Sequence, residues 1–253
     1  MNATEHNKNK KHLIYGIRPV MEAIAGGKEI DKIILQRGLS GDLFKELFHL
    51  IRQQNIPFQY VPVERLNRYT KGNHQGVVCL MSMIIYQSIF DIIPTLYEEG
   101  KMPFILILDS LTDVRNIGSI ARSAECAGVH AIIIPAKHTA QINEDAIKTS
   151  AGALHQIPVC RHDNLAEIID YLQQSGVNVV ACTEKAGQIY YEHDFNGPTC
   201  LVMGNEYEGI SGDILNKCSQ KVKIPMTGTI ESLNVSVAAG VIMFEILRQR
   251  NIR

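Results

Sequence analysis

Apolar residues follow two different patterns along the chain. Before residue 84, stretches with helical spacing, such as Leu43, Leu47 and Leu50 on one side of a predicted helix, alternate with short predicted strands at 32–35, 58–61 and 77–81. From Phe104 onward, short runs that are apolar throughout alternate with helical stretches: 104–108, 131–134, 177–182, 199–203 and 221–224. Such runs indicate strands that are buried on both faces, as in helix-covered parallel sheets. The pattern predicts an α/β protein whose C-terminal part is an open, mostly parallel sheet.

The same pattern divides the chain into four segments. Residues 1–12 are polar and rich in Lys and Asn, which predicts a disordered tail. Residues 13–83 are predicted to form a small α/β domain, and residues 103–253 form the larger domain. Between them, residues 84–102 contain Pro94 and an acidic end, and are predicted to be a linker with room for a short helix.

Composition narrows the class of protein. With 253 residues, 45% of them hydrophobic, the chain can bury a sizeable core. No stretch approaches 18 apolar residues and the first twelve are polar, so we expect no membrane span and no secretory signal. The six cysteines stand singly, which favours free, buried thiols in the cytoplasm over disulfides or a metal site.

Charge is distributed unevenly. Residues 1–83 hold 12 Lys and Arg against 7 Asp and Glu, whereas the remainder holds 13 against 19. The excess of cations predicts that the N-terminal domain contacts a polyanion. Within it, the loop 68–76 offers cations, an aromatic ring and hydrogen-bonding groups that can contact RNA phosphates and unpaired bases. A plain polar surface loop explains it equally well. The candidate RNA-binding residues are Arg68, Lys71, Asn73, His74 and Gln75.

Three loops follow predicted strands of the larger domain, where open α/β sheets bind ligands. In the first, Asn116 and Gly118 predict a tight turn that leads into a helix carrying Arg122 in its first turns. In the second, Gly204 and Gly209 bracket a loop whose backbone can contact a ligand. The third, 224–234, precedes the last helix. Taken singly, each also fits an ordinary ion pair or a helix cap. Gly-x-Gly-x-x-Gly and P-loop signatures are absent, which disfavours a dehydrogenase or a P-loop NTPase.

Together, the three loops resemble the motifs of the SpoU (TrmH) RNA ribose 2′-O-methyltransferases. The matching residues, in order, are Asn116-x-Gly118-x-x-x-Arg122, Gly204-Asn205-Glu206-x-x-Gly209, and Ile224-Pro225-Met226 leading to Ser232-Leu233-Asn234. Upstream, 14–20 and 74–78 are similar to the N-terminal substrate-binding domain of the RlmB branch, which modifies a guanosine of 23S rRNA. The resemblance covers nearly the whole chain after residue 12.

The resemblance implies a fold, a cofactor and an assembly. Members of the family form a deep trefoil knot of SPOUT type, preceded here by an L30e-like RNA-binding domain. The knot shapes a pocket for bent S-adenosylmethionine (AdoMet), and no metal is needed. Members are homodimers whose active site draws on both subunits. The family's cofactor-contacting positions correspond to Gly204, Ile224, Met226 and Leu233, and Arg18 joins the candidate RNA contacts.

Family precedent assigns activation of the ribose hydroxyl to Arg122. A guanidinium has a pKa above about 12, so it is a poor base. Either Arg122 is partly deprotonated in a desolvated site, or it stays cationic and stabilises the developing alkoxide and a phosphate. We favour the second alternative. The predicted roles of the other motif residues are orientation for Asn116, Glu206 and Asn234, and a substrate hydrogen bond for Ser232.

The motifs do not specify the target nucleotide. A guanosine of 23S rRNA is the leading expectation, because the basic N-terminal domain suits structured ribosomal RNA. Methylation of a tRNA guanosine, or of a ribosomal adenosine or uridine, is the alternative within the enzyme class. A non-catalytic RNA-binding protein of ribosome assembly is the alternative outside it, although Arg122, Glu206, Ser232 and Asn234 are all present.

Overall fold

The computed structural model describes residues 13–251, so the predicted tail 1–12 lies outside the described residues. The chain divides into two compact units, with the boundary between Ile85 and Tyr86. Each unit has a sheet of its own.

The first unit is a four-stranded sheet with helices on both faces. Its strands have the order β1-β4-β2-β3, and only β2 and β3 are parallel. Alternation along β2 places Ile33 and Leu35 in a core with helices α1 and α2, while Ile34 packs towards Leu66 of α3. The elements are β1 Leu13–Tyr15, α1 Ile17–Ala25, β2 Ile30–Gln36, α2 Asp42–Gln53, β3 Phe58–Val61, α3 Val63–Tyr69 and β4 Val77–Met81.

The second unit is an eight-stranded sheet whose paired neighbours all run parallel. Its strand order is β10-β12-β9-β11-β6-β7-β8-β5. The strands are β5 Tyr86–Gln87, β6 Phe104–Leu108, β7 Ala131–Pro135, β8 Val159–His162, β9 Asn178–Cys182, β10 Gln188–Ile189, β11 Thr199–Met203 and β12 Gln220–Lys223. Strands β6, β7 and β11 are buried at every position, so the predicted parallel sheet is confirmed.

Within residues 86–251, the second unit has six α-helices. They are α4 Ile89–Glu98, α5 Val114–Cys126, α6 Glu144–Thr149, α7 Leu165–Gln174, α8 Gly212–Lys217 and α9 Val235–Asn251. No helix within residues 13–251 is long and apolar enough to cross a bilayer. The hydrogen-bonding order of the strands does not define how the chain threads, so the trefoil knot stays a prediction.

The segment predicted as a linker, 84–102, belongs largely to the second unit. Its strand β5 pairs with β8, and Ile89 and Ile93 of α4 lie in the core of the larger sheet. Pro94, which favours a connector when the sequence is considered alone, lies inside α4. Proline there removes the N–H that would bond to the Phe90 carbonyl, and that oxygen instead accepts from the Tyr171 hydroxyl at 3.5 Å.

The cysteines are free, as expected from their spacing. Cys79, Cys160, Cys200 and Cys218 are buried, whereas Cys126 is exposed. Burial raises the pKa of Cys160 to about 12, so this thiol stays protonated at neutral pH.

Candidate active site

The site lies at the carboxyl ends of β6 and β11, which are neighbours in the sheet although about ninety residues separate them. Leu108 pairs with Met203, so Asp109 and Gly204 begin two adjacent loops. From β6 the next strands, β7 and β8, lie on one side, while β11 lies on the other. This change of direction is where open α/β sheets form ligand crevices.

Asp109 and Ser110 shape the second loop. The Asp109 carboxylate, 4% exposed, accepts from the Ser110 hydroxyl at 2.9 Å and from the Ser211 backbone N–H at 2.8 Å. The Asn205 amide nitrogen donates to the Ser110 carbonyl at 2.8 Å. Both ends of the loop 204–211 are therefore held by the residues that follow β6. The sequence reasoning missed Asp109, although a carboxylate directly after a fully apolar strand was a usable signal.

The loop itself is tightly folded. Asn205 and Gly209 exchange two backbone hydrogen bonds, of 3.0 and 2.9 Å. A Cβ atom on Gly204 would lie 2.2 Å from the Gly209 carbonyl carbon, so no side chain fits there. The glycine predicted to contact the cofactor is thus also required by the close approach of the loop's own backbone.

The first motif differs from its predicted form. Helix α5 begins at Val114, and Asp113 caps it by accepting from the Arg115 N–H at 2.8 Å. The expected tight turn at Asn116 and Gly118 is therefore wrong, because both residues lie within the helix. Gly118 is needed for packing: a Cβ there would lie 2.6 Å from the carbonyl oxygen of Ala146.

A chain of hydrogen-bonded side chains joins the three motifs. Asn234 Oδ1 accepts from the backbone N–H of Ser236 at 2.9 Å and from its hydroxyl at 2.5 Å, at the start of α9. Asn234 Nδ2 donates to Asn116 Oδ1 at 3.1 Å. Asn116 Nδ2 then donates to Glu206 Oε1. We call Asn234, Asn116 and Glu206 the amide chain.

The direction of the amide chain is set at one end. Because capping uses the oxygen of Asn234, its nitrogen must point to Asn116, and Asn116 must present its oxygen. The nitrogen of Asn116 is then left to donate, so Glu206 has to be the acceptor. The structure thus brings together three of the predicted catalytic residues, and helix α9 packs against α5 beside them.

Arg122 lies outside this cluster. Its side chain is exposed on α5, and no hydrogen bond or ion pair joins that side chain to another residue of 13–251. It lies six positions after Asn116 in the helix, which places it roughly 9 Å further along the axis and about 120° around it. Within one chain, therefore, the candidate catalytic cation and the amide chain lie on different faces of α5.

The third motif forms an irregular segment from 224 to 234. Ile224 directly follows β12 and is partly buried, whereas Met226 and Leu233 are 38% and 40% exposed. Apolar side chains that remain accessible at the carboxyl edge of a parallel sheet suit the adenosyl part of AdoMet. The accessibility of these side chains is compatible with the predicted cofactor contacts, which stay a prediction. Ser232 is exposed in the same segment.

The predicted RNA contacts in and beside the loop 68–76 form two groups. His74 is only 9% exposed: its Nδ1 accepts from the Gly76 N–H at 3.0 Å, and its Nε2 bonds Asn67 at 3.0 Å. Gln75 is exposed, yet its Oε1 accepts from the Ile17 N–H of α1 at 3.1 Å. Both shape the loop. The exposed side chains beside them are Arg18, Arg68, Lys71 and Asn73.

Metal ligands are not grouped in the described part of the chain. Among residues 13–251, no three His, Cys, Asp or Glu side chains are arranged to hold an ion.

These features define an α/β protein whose first unit carries exposed cations and whose second unit joins three loop segments at the carboxyl edge of a parallel sheet. Comparison with known proteins identifies it further. Residues 103–244 match the SpoU rRNA methylase family, and residues 13–87 match the RNA 2′-O ribose methyltransferase substrate-binding family. A Bacillus subtilis (strain 168) protein, named as a TrmH family tRNA/rRNA methyltransferase, is 34% identical over 94% of this chain and 96% of its own length.

Solved structures agree. The SpoU methyltransferase AviRb from Streptomyces viridochromogenes, in complex with AdoMet, has 28% identity and a TM-score of 0.60 over 94% of this chain and 90% of its own. The A. aeolicus TrmH/SpoU tRNA modifying enzyme has 28% identity and a TM-score of 0.54 over 62% and 82%. The chain belongs to the SpoU methylase family and is an RNA methyltransferase that uses AdoMet.

Proposed function

We propose that the protein methylates the 2′-hydroxyl of a ribose in RNA, and that its substrate is a guanosine of 23S rRNA. The observation that carries the proposal is the amide chain, which joins all three motif segments at one edge of the sheet. The match of residues 13–87 to the 2′-O ribose methyltransferase substrate-binding family supports the ribose as the acceptor. The cationic excess of the first unit supports a structured RNA.

The residues have separate roles in this proposal. AdoMet, when bound, supplies a methyl group carried on a sulfonium sulfur, and Gly204, Ile224, Met226 and Leu233 would hold it. Hydrogen bonds among Asn116, Asn234 and Glu206 hold the three motif segments in a fixed arrangement. Positioning of the substrate by these segments then contributes to the rate. Ser232, exposed beside them, hydrogen-bonds the substrate.

Arg122 stays cationic, in our proposal, and stabilises the negative charge that develops on the 2′-oxygen. It also binds the adjacent phosphate. Since Arg122 lies on another face of α5 from the amide chain, we propose that it serves the site of a second subunit. A homodimer places the Arg122 of one protomer beside the motif loops of its partner.

The last helix supports the homodimer. One side of α9 packs into the core of its own chain through Val235, Ile242 and Ile246. Another side carries Val237 and Phe244, which are seven residues apart and 51% and 48% exposed. A helix that is apolar on two sides favours a second packing partner. We propose that this partner is the α9 region of a second copy.

A tRNA substrate is the second candidate. It is favoured by the A. aeolicus structure, whose protein modifies tRNA, and by the name of the Bacillus subtilis relative, which includes both kinds of RNA. A cytoplasmic location suits either RNA and the free thiols.

The test combines two RNAs with one purified protein. Deproteinised 23S rRNA and bulk tRNA are incubated separately with protein and radiolabelled AdoMet, and 2′-O-methylated positions are mapped. We expect label in a single guanosine of 23S rRNA, and the same methylation missing from cells that lack the protein. Methylation of tRNA alone would replace the rRNA proposal. Label in neither RNA would overturn both proposed substrates.

A further inference from the structure

Tyr207, at the tip of the second motif loop, is 92% exposed. It is the most exposed large hydrophobic side chain among residues 13–251; Ile230 follows at 76%. Exposed aromatic residues occur singly on many surfaces, so exposure alone carries no assignment. The assignment depends on how the loop 204–211 holds the ring and on the groups around it.

The backbone that carries Tyr207 is fixed from several directions. The Tyr207 N–H donates to Asn205 Oδ1 at 2.8 Å, and the Asn205 amide nitrogen donates to the carbonyl of Ser110. The paired backbone of Asn205 and Gly209 closes the turn on either side. The ring is therefore held on a rigid support, and little loop ordering is lost when a ligand binds against it.

The position of the ring relates it to the amide chain. Its neighbour Glu206 is the terminal acceptor of that chain, and consecutive Cα atoms are only about 3.8 Å apart. If the amide chain orders the segments around the target ribose, then a base attached to that ribose or to the next one lies within reach of Tyr207.

The charges around the Tyr207 ring indicate which part of RNA the ring contacts. Glu206 and Glu208 flank Tyr207 on both sides, and all three residues are exposed. Two carboxylates repel phosphate groups, so this loop is unsuited to the RNA backbone. The face of an unpaired base is uncharged, and aromatic side chains stack favourably on such faces.

We propose that Tyr207 stacks on an unpaired base of the RNA substrate, at or next to the target ribose, and holds that nucleotide in the site. This inference rests on the proposed ribose methylation. It assigns Tyr207 to substrate positioning through direct contact with RNA, separately from the cofactor.

Tryptophan fluorescence can report on position 207 alone, because the chain contains no tryptophan. Tyr207→Trp introduces a single indole, whose emission is followed while deproteinised 23S rRNA or bulk tRNA is added. We expect quenching that saturates as binding saturates, as base stacking on the indole requires. Emission that is already blue-shifted without RNA, and does not respond to it, would show that a second subunit covers the position and would overturn the proposal.

Kinetics give the second readout. Tyr207→Ala should lower kcat/KM for RNA by about 5- to 150-fold, the equivalent of one stacked base, while Tyr207→Phe keeps most of the activity. Affinity for AdoMet should be unchanged in both variants. The matched control is Tyr191→Ala, since Tyr191 is 52% exposed and lies outside the motif loops. Equal activity of Tyr207→Ala and wild type would contradict stacking.

The two proposals fail in different ways. Methylation of RNA by the wild type, without quenching and without loss in Tyr207→Ala, would overturn the stacking and leave the methylation intact. Quenching by RNA without any methylation would preserve the contact and remove the proposed reaction.

Discussion

The loop 68–76 and the amide chain both present polar side chains, yet they use them in opposite ways. In the loop, bonds from His74 join residues two and seven positions away, and the cations nearby are left exposed. In the amide chain, the bonds join residues 90 and 118 positions apart, and no cation takes part. The comparison teaches that bonds within the first unit, including the longer one from the Ile17 N–H to Gln75, shape a loop with exposed cations, whereas bonds between distant motif segments assemble a site.

The largest effect is expected for Asn116→Asp. This change places a second carboxylate oxygen against Glu206, in place of a donor. Misplacing the reacting groups by about 1 Å costs on the order of 10²-fold in rate, and repulsion between the two carboxylates adds to that loss in kcat. The two carboxylates also raise the pKa of one of them, so the shared proton is bound at low pH and lost as pH rises.

Single-turnover methylation across pH tests this. The rate of Asn116→Asp relative to wild type should be highest at acidic pH and fall as pH rises. The control, Asn116→Ala, lacks the second carboxylate, so its ratio to wild type should not depend on pH. A constant ratio for Asn116→Asp would show that Glu206 does not face this position.

The next largest loss of kcat is expected for substitution of Arg122. Arg122 is exposed on another face of α5 from the amide chain. In our proposal it acts as a cation in the site of the partner subunit. Arg122→Ala should lower kcat by about 10²-fold or more, whereas Arg122→Lys keeps the charge and a measurable rate. Mixing Arg122→Ala with an Asn116→Ala variant should restore activity, because one of the two sites in a mixed dimer is then intact. No recovery on mixing, under conditions where protomers exchange, would argue against a shared site.

Asp109 tests how the second loop is held. Asp109→Ala leaves the Ser211 N–H without its acceptor, which costs about 1–3 kcal/mol and loosens the loop 204–211. Asp109→Asn can accept from Ser211 through its oxygen and donate to the Ser110 hydroxyl through its nitrogen. We therefore expect AdoMet affinity, measured by calorimetry, to fall in the alanine variant and to stay near wild type in the asparagine variant. Equal losses in both would indicate that the charge of Asp109 matters more than its hydrogen bonds.

The smallest effects are expected in the first unit. Lys71→Ala removes one exposed cation, so it should weaken RNA binding modestly and reduce its salt dependence. His74→Ala removes a buried ring that is hydrogen-bonded on both nitrogens. This variant should therefore lower the stability of the first unit in addition to weakening RNA binding. Thermal unfolding and RNA titration at two salt concentrations separate the two variants. If Lys71→Ala left the salt dependence unchanged, the loop would not contact phosphates.

The sequence predicted the parallel sheet because strands such as Phe104–Leu108 are apolar at every position. It could not show that α5 starts at Val114, since the reason for Gly118 is a contact with Ala146, far along the chain. Nor could it reveal the role of Asp109, whose partner Ser211 is 102 residues away. Local pattern predicts elements, while the contacts that fix the site are long-range.

The most direct test of the central claim, that the three motif segments act as one unit, is a double-mutant cycle on kcat. Asn116→Ala is combined with Asn234→Ser, since serine still caps α9 but is too short to reach residue 116. The account predicts strong coupling: the double variant should be no slower than the slower single variant. Losses that multiply in the double variant would show that Asn116 and Asn234 act independently and would contradict the account.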